Sequence, residues 1–173
     1  MQSLDEYTQE ALTLWMDRDA PHAEQLLHAT LGVFGELKEL SDALVARDPD
    51  RAIDELGDVL YYTCILGHLE DDTSPLFPAP KLFSMPHTGS QHTIGTVRRD
   101  VIYLIMSRIY EIYSNELQYV KKLYFRDKYD GPRFAFSECI EAIRPILGIL
   151  RTSFGEVANL NINKLQDRYA RAN

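Results

Sequence analysis

The sequence predicts an all-α fold, and three observations carry that expectation. Apolar residues recur at the 3.6-residue helical period from one end of the chain to the other. The interruptions are helix punctuation: Pro21, Asp48-Pro49-Asp50, Asp130-Gly131-Pro132 and Gly155. No stretch of useful length alternates apolar and polar residues as a strand would. A chain of 173 residues is long enough to bury one real core, so a single domain over residues 1–173 is expected.

Taken in order, Leu4, Tyr7, Ala11, Leu12 and Trp15 form the stripe of a first helix from Leu4 to Met16. Pro21 suits the first turn of a second helix, which runs to about Arg47 with a stripe of Leu26, Leu27, Leu31, Phe34, Leu37, Leu40 and Leu44. Asp48-Pro49-Asp50 breaks it, and Asp50 is the expected N-cap of a third helix from about Arg51 to Leu69. The second and third helices should therefore form an antiparallel hairpin. From about 70 to 95 the text turns rich in Pro, Ser, Thr and His, a long connection without periodicity. A long helix is expected from about Thr96 to Asp127, another from about Phe136 to Phe154 with a disturbance at Pro145, and a last one from Glu156 to about Ala170. The second half faintly echoes the first, with Glu111 and Ser114 followed by Glu138 and Glu141. An internal duplication leaving a degenerate second hairpin is one reading, and two unrelated hairpins the other.

Composition narrows the function. The formal charge of −8 argues against broad nucleic-acid binding, which needs a basic patch. It leaves a nucleotide substrate open, since a bound metal can supply local positive charge. No segment approaches the roughly 18 apolar residues of a membrane span, and the acidic N-terminus does not resemble a signal peptide. Cys64 and Cys139 stand alone in apolar helical text, as buried free thiols of a cytoplasmic protein would.

Two acidic pairs stand out, Glu36 with Glu39 and Glu55 with Asp58, in the texts GVFGELKEL and DELGDVLYYT. A spacing of three residues puts both acids of a pair on one helix face. Carboxylates on the inner side of neighbouring helices repel: at about 5 Å and an effective dielectric near 20, each pair costs roughly 3 kcal/mol. A hard divalent cation with oxygen ligands, Mg2+ first, resolves the repulsion. Gly35 before the first pair is expected to permit close approach, and Gly57 stands within the second pair. Most acidic pairs in an acidic chain are merely solvated, so the setting at the turn from polar to buried text is what distinguishes these.

These motifs resemble the MazG-like all-α nucleoside triphosphate pyrophosphohydrolases, a superfamily that includes the dimeric dUTPases and dCTPases. HATLGVFGELKEL is similar to its ExxE motif, DELGDVLYY to its ExxD motif, and NINKLQDRY to its closing helix; the resemblance covers roughly residues 24–69 and 154–169. It implies that Glu36, Glu39, Glu55 and Asp58 bind Mg2+, for which Mn2+ can substitute. It further implies attack of water between the α and β phosphates, giving a nucleoside monophosphate and pyrophosphate, as nucleotide-pool house-cleaning requires. Glu36 and Glu39 are the catalytic candidates; Glu39 is a possible general base, and sequence does not separate base from ligand. Asn161, Lys164 and Arg168 would meet the phosphates, although a solvated helix end explains them equally well.

Tyr62, one turn after Asp58, stacks on a base or sugar or simply fills the core. Trp15, His28, Lys122 and Arg126 are weaker substrate contacts, with packing or solvated-face readings beside them; His87 and His92 reach the site only if the proline-rich segment folds over it. Two other functions compete: a pyrophosphohydrolase of another phosphorylated nucleotide, such as phosphoribosyl-ATP or an alarmone, and a non-catalytic helical interaction protein on the same scaffold. A homodimer is expected, a tetramer second. Nothing in the sequence reads base preference.

Overall fold

The computed structural model describes residues 4–70, 93–126 and 136–170. These form α1 (Leu4–Thr13), α2 (His22–Ala46), α3 (Pro49–Leu69), a 3-10 turn (Thr93–Gly95), α4 (Arg99–Arg126), α5 (Phe136–Leu150) and α6 (Phe154–Ala170), with no strand among the described residues. The all-α expectation holds. Most of the proline-rich connection, His87 and His92 within it, and the Asp130-Gly131-Pro132 turn lie outside the described residues.

The α2–α3 hairpin is closed by a tight, two-sided cap. Arg47 takes the left-handed conformation (φ 62°), and the Asp48 N–H donates back to the Ala43 carbonyl at 3.0 Å. A left-handed arginine costs about 1–2 kcal/mol; here its guanidinium also donates to the Gly95 carbonyl at 2.5 Å. Asp48 then caps α3, its carboxylate accepting from the Arg51 N–H at 3.1 Å. The cap is thus Asp48 and not Asp50. Pro49, with φ fixed near the helical value and no N–H to satisfy, belongs at the first helical position and pushes the cap one residue before it.

Other boundaries move for similar reasons. Pro21 is the N-cap residue of α2 rather than its first helical residue. Helix α1 stops at Thr13, short of Met16, and Gln25 organises the turn that follows. Its side chain accepts from Trp15 Nε1 at 3.1 Å and donates to the carbonyls of Ala20 at 2.7 Å and Arg18 at 3.2 Å. Helix α5 runs through Pro145 and ends where Arg151 turns left-handed (φ 50°). Ser153 then opens α6 in a reciprocal cap: the Glu156 N–H donates to Ser153 Oγ at 3.2 Å and the Ser153 N–H to Glu156 Oε2 at 3.0 Å. That Ser-x-x-Glu pattern starts the helix at Phe154, ahead of Gly155.

Helices α2 and α3 pack against each other, and α4 and α5 form a second pair, α4 lying on α2 and α5 on α3. Helices α1 and α6 also pack on α3. The core is built on Leu26, Leu37, Leu40, Leu56, Leu60 and Ile65, all essentially sealed from solvent. Leu31 is 56% exposed, against the expected stripe, because the inward steps of α2 run through Leu26, Ala29, Val33 and Leu37. Cys64 and Cys139 are buried free thiols, as expected. The second hairpin exists but does not repeat the acids: Glu111 and Glu141 are exposed and paired with Arg108 and Arg144 on their own helices. No helix among the described residues is long and apolar enough to cross a membrane.

Candidate metal centre

Two glycines set how closely the helices approach. A Cβ on Gly57 would lie 2.9 Å from Asn161 Cβ, so only glycine lets α6 close onto α3 at the height of the acids. A Cβ on Gly32 would lie 2.4 Å from the Tyr62 ring, so the ring occupies the space that a side chain would need. Gly35, expected to serve closeness, faces open space instead. On the helical period it falls on the outer side of α2.

On this frame Glu36 of α2 meets Glu55 and Asp58 of α3, one carboxylate oxygen from each lying within 4.8 Å of the others. Glu55 is 7% exposed, and Glu36 and Asp58 are partly buried. Asp58 is held at both oxygens by α6: Asn161 Nδ2 donates to Oδ1 at 2.6 Å and Lys164 Nζ to Oδ2 at 2.6 Å. Asn161 is itself fixed, accepting from the buried Tyr7 hydroxyl of α1 at 2.9 Å. Lys164 reaches a further acid, Asp54, at 2.7 Å. Across the other edge Arg51 donates to Glu55 at 3.1 Å and to Glu39 at 3.3 Å. Glu39 is therefore joined to the cluster through Arg51 rather than lying inside the three-oxygen group.

The charges do not balance. Five carboxylates (Glu36, Glu39, Asp54, Glu55, Asp58) face two cations (Arg51, Lys164), leaving three negative charges when all are ionised. At separations up to 4.8 Å each unscreened pair costs about 3 kcal/mol. The strain shows in the titration of the group. Burial, then Asp58, Glu55 and Glu39, push the Glu36 carboxyl up to about 7, with Lys164 opposing. Burial also raises Glu55 against the pull of Arg51. Burial pulls the Lys164 ammonium down, yet its hydrogen bonds to Asp54 and Asp58 outweigh that and leave it raised. Glu36 takes no hydrogen bond from any described residue; its surroundings act on it through burial and charge.

An all-oxygen donor set with surplus negative charge suits a hard divalent ion. Oxygens sharing one octahedral Mg2+ at about 2.1 Å sit about 3–4 Å apart, so the present spacing needs only small side-chain rotations. Glu36, Glu55 and Asp58 would hold such an ion, with Glu39 at the rim.

The remaining predicted residues divide. Lys164 and Asn161 are at the site; Arg168 is exposed near the end of α6 and makes none of these contacts. Tyr62 is half-buried one turn from Asp58, in an aromatic group with Tyr61 (ring centroids 5.3 Å apart), Trp15 (6.2 Å) and His28 (6.1 Å). Trp15 is 4% exposed, and His28 Nδ1 is hydrogen-bonded to Asp17 Oδ2. Lys122 is exposed on α4, and the side chain of Arg126 lies outside the described ones. A groove of about 580 Å³ opens elsewhere, between α4 and α5, lined by residues including Leu104, Ile112, Glu138 and Pro145.

Arg51, Asp54 and Tyr7 were not anticipated at the site. The first two carry a signal in sequence, since Arg51 stands four residues before Glu55 and Asp54 four before Asp58. Tyr7 has none, its partner lying 154 residues away. Comparison of the chain with protein-family models, with curated proteins and with solved structures returns no match.

Proposed function

We propose that the protein is a Mg2+-dependent nucleoside triphosphate pyrophosphohydrolase, releasing pyrophosphate and a nucleoside monophosphate. The observation that supports this best is the convergence of Glu36, Glu55 and Asp58 from two helices, with Lys164 and Asn161 of a third helix gripping the same Asp58. A bound Mg2+ would draw charge from the phosphate oxygens and expose the α phosphorus to water. The chain supplies the rest. Asn161, anchored by Tyr7, orients Asp58; Lys164 faces the developing negative charge; Glu39, at the more open edge, accepts the proton of the attacking water. The half-buried Tyr62 ring, one turn away and backed by Tyr61 and Trp15, would stack on a base.

Phosphate products separated by 31P NMR test the reaction class. Pyrophosphate and monophosphate are expected, and Glu39→Gln should abolish both while the fold survives. Release of orthophosphate, or full activity in that variant, would overturn the assignment. The non-catalytic reading draws on one observation, that Arg51 and Lys164 already pair with four of the five acids. It predicts no change in melting temperature with Mg2+ or Mn2+. Self-association belongs to the same proposal, a homodimer first; the exposed Val101, Tyr103 and Leu104 on α4 give it an apolar surface, and light scattering tests it.

A further inference from the structure

We propose that Arg51 is an internal counter-ion that metal loading displaces, and that the released guanidinium then binds the phosphates of the substrate. The inference rests on the metal reading above. Arg51 sits in the first turn of α3, and its side-chain bonds go to two acids on different helices, Glu55 and Glu39. It clamps α2 to α3 at the mouth of the site. Nearly half of the side chain is open to solvent, so it can swing away without unpacking the core. Lys164 differs. It is more enclosed, and its bonds to Asp54 and Asp58, at 2.7 and 2.6 Å, are shorter than those of Arg51 to Glu55 and Glu39, at 3.1 and 3.3 Å. A divalent ion entering among Glu36, Glu55 and Asp58 takes over Glu55 and repels the guanidinium, which then has only its long, exposed bond to Glu39, while Lys164 keeps its short bond to Asp54.

What the displaced arginine does next follows from its chemistry. Its planar fork of donors matches phosphate oxygens in paired geometry, and the site then holds the metal whose partner is a polyphosphate. Metal and phosphate thus bind in order, because the arginine is free for phosphate only once metal has replaced it. This gives Arg51 two effects of opposite sign. It weakens metal binding and strengthens polyphosphate binding. A counter-ion of purely structural use would have only the first, and an ordinary phosphate contact only the second.

Isothermal calorimetry of the full chain separates these cases, with Mg2+ titrated first and tripolyphosphate second, in saturating Mg2+ so that the probe enters as its magnesium complex. Arg51→Gln should bind Mg2+ about three- to tenfold more tightly than the unaltered protein, having lost a competing ion-pair bridge. It should bind magnesium tripolyphosphate about tenfold more weakly or worse, having lost a charge-assisted fork. Arg51→Lys, which keeps the charge and loses the fork, should shift both in the same directions by less, and serves if Arg51→Gln folds poorly. Unchanged or weakened Mg2+ affinity in both variants would overturn the displacement. Unchanged tripolyphosphate affinity would overturn the transfer to phosphate. Absence of Mg2+ binding in the unaltered protein and both variants would instead bring down the metal reading itself, and this inference with it.

Discussion

Glu36 should make the stability of the metal-free protein fall as pH rises, and Mg2+ should reverse that slope. The carboxyl is raised to about 7 by burial and by the neighbouring Asp58, Glu55 and Glu39, whereas a glutamate in the unfolded chain titrates near 4.3. Below about 4.3 both states hold the proton; between there and 7 only the folded state does. Proton uptake thus favours folding at low pH, and the advantage is lost as pH rises through about 7. The full displacement corresponds to about 4 kcal/mol. Glu36 is only half-buried, so solvent screening reduces this to about 1–2 kcal/mol. For a chain of this size that is a fall in melting temperature of about 2–8 °C between pH 5 and 8 in EDTA. Glu36→Gln, which imitates the protonated acid, should lack that component, so the difference between the two melting curves isolates it. Metal binds the ionised group, so saturating Mg2+ should stabilise the protein increasingly with pH, by about 2.7 kcal/mol at a hundredfold excess over its dissociation constant. Parallel curves for the two proteins in EDTA across pH 5–8 would refute the reasoning.

Three substitutions probe the frame that positions the acids. Gly57→Ala places a methyl 2.9 Å from Asn161 Cβ and 3.0 Å from its Nδ2; thermal melting should show a loss of about 1–3 kcal/mol, accompanied by weaker metal binding as Asp58 loses its clamp. Gly35→Ala meets nothing within 4 Å and sits in a helix with no positive φ; chemical denaturation should show a gain of about 0.5–1 kcal/mol. Ser153→Ala removes the acceptor for the Glu156 N–H at the start of α6; it should cost about 1 kcal/mol in the same assay, with little effect on metal affinity.

The fold was legible because its cues are local. Helical periodicity, Pro49 with an aspartate before it and Ser153 with a glutamate three residues on all act within a few residues of themselves. The errors share a cause too. Asp50 was expected as the cap although Pro49 belongs at the first helical position and puts the cap at Asp48, and Leu31 belonged to the apolar text without belonging to the inner face. At the site, the spacing pointed to two pairs, Glu36 with Glu39 and Glu55 with Asp58, each on one helix face, and the structure brings three of these four acids together. The fourth acid, Glu39, needed knowledge of Arg51 to place, and the Tyr7–Asn161–Asp58 chain joins α1, α6 and α3 through contacts that no spacing rule encodes. Glycine roles were the least legible. Whether a glycine serves close approach depends on what stands opposite, and at Gly35 nothing does, while at Gly32 the Tyr62 ring does.

Binding of Mn2+ followed by electron paramagnetic resonance tests the central claim most directly, because the free-ion signal disappears as the ion is bound. The unaltered protein should remove Mn2+ from solution with saturation, Mg2+ should compete for the same site, and a double variant Glu36→Gln, Asp58→Asn should leave the free signal intact. Equal Mn2+ uptake by the two proteins, or none by either, would contradict a metal centre built on Glu36, Glu55 and Asp58.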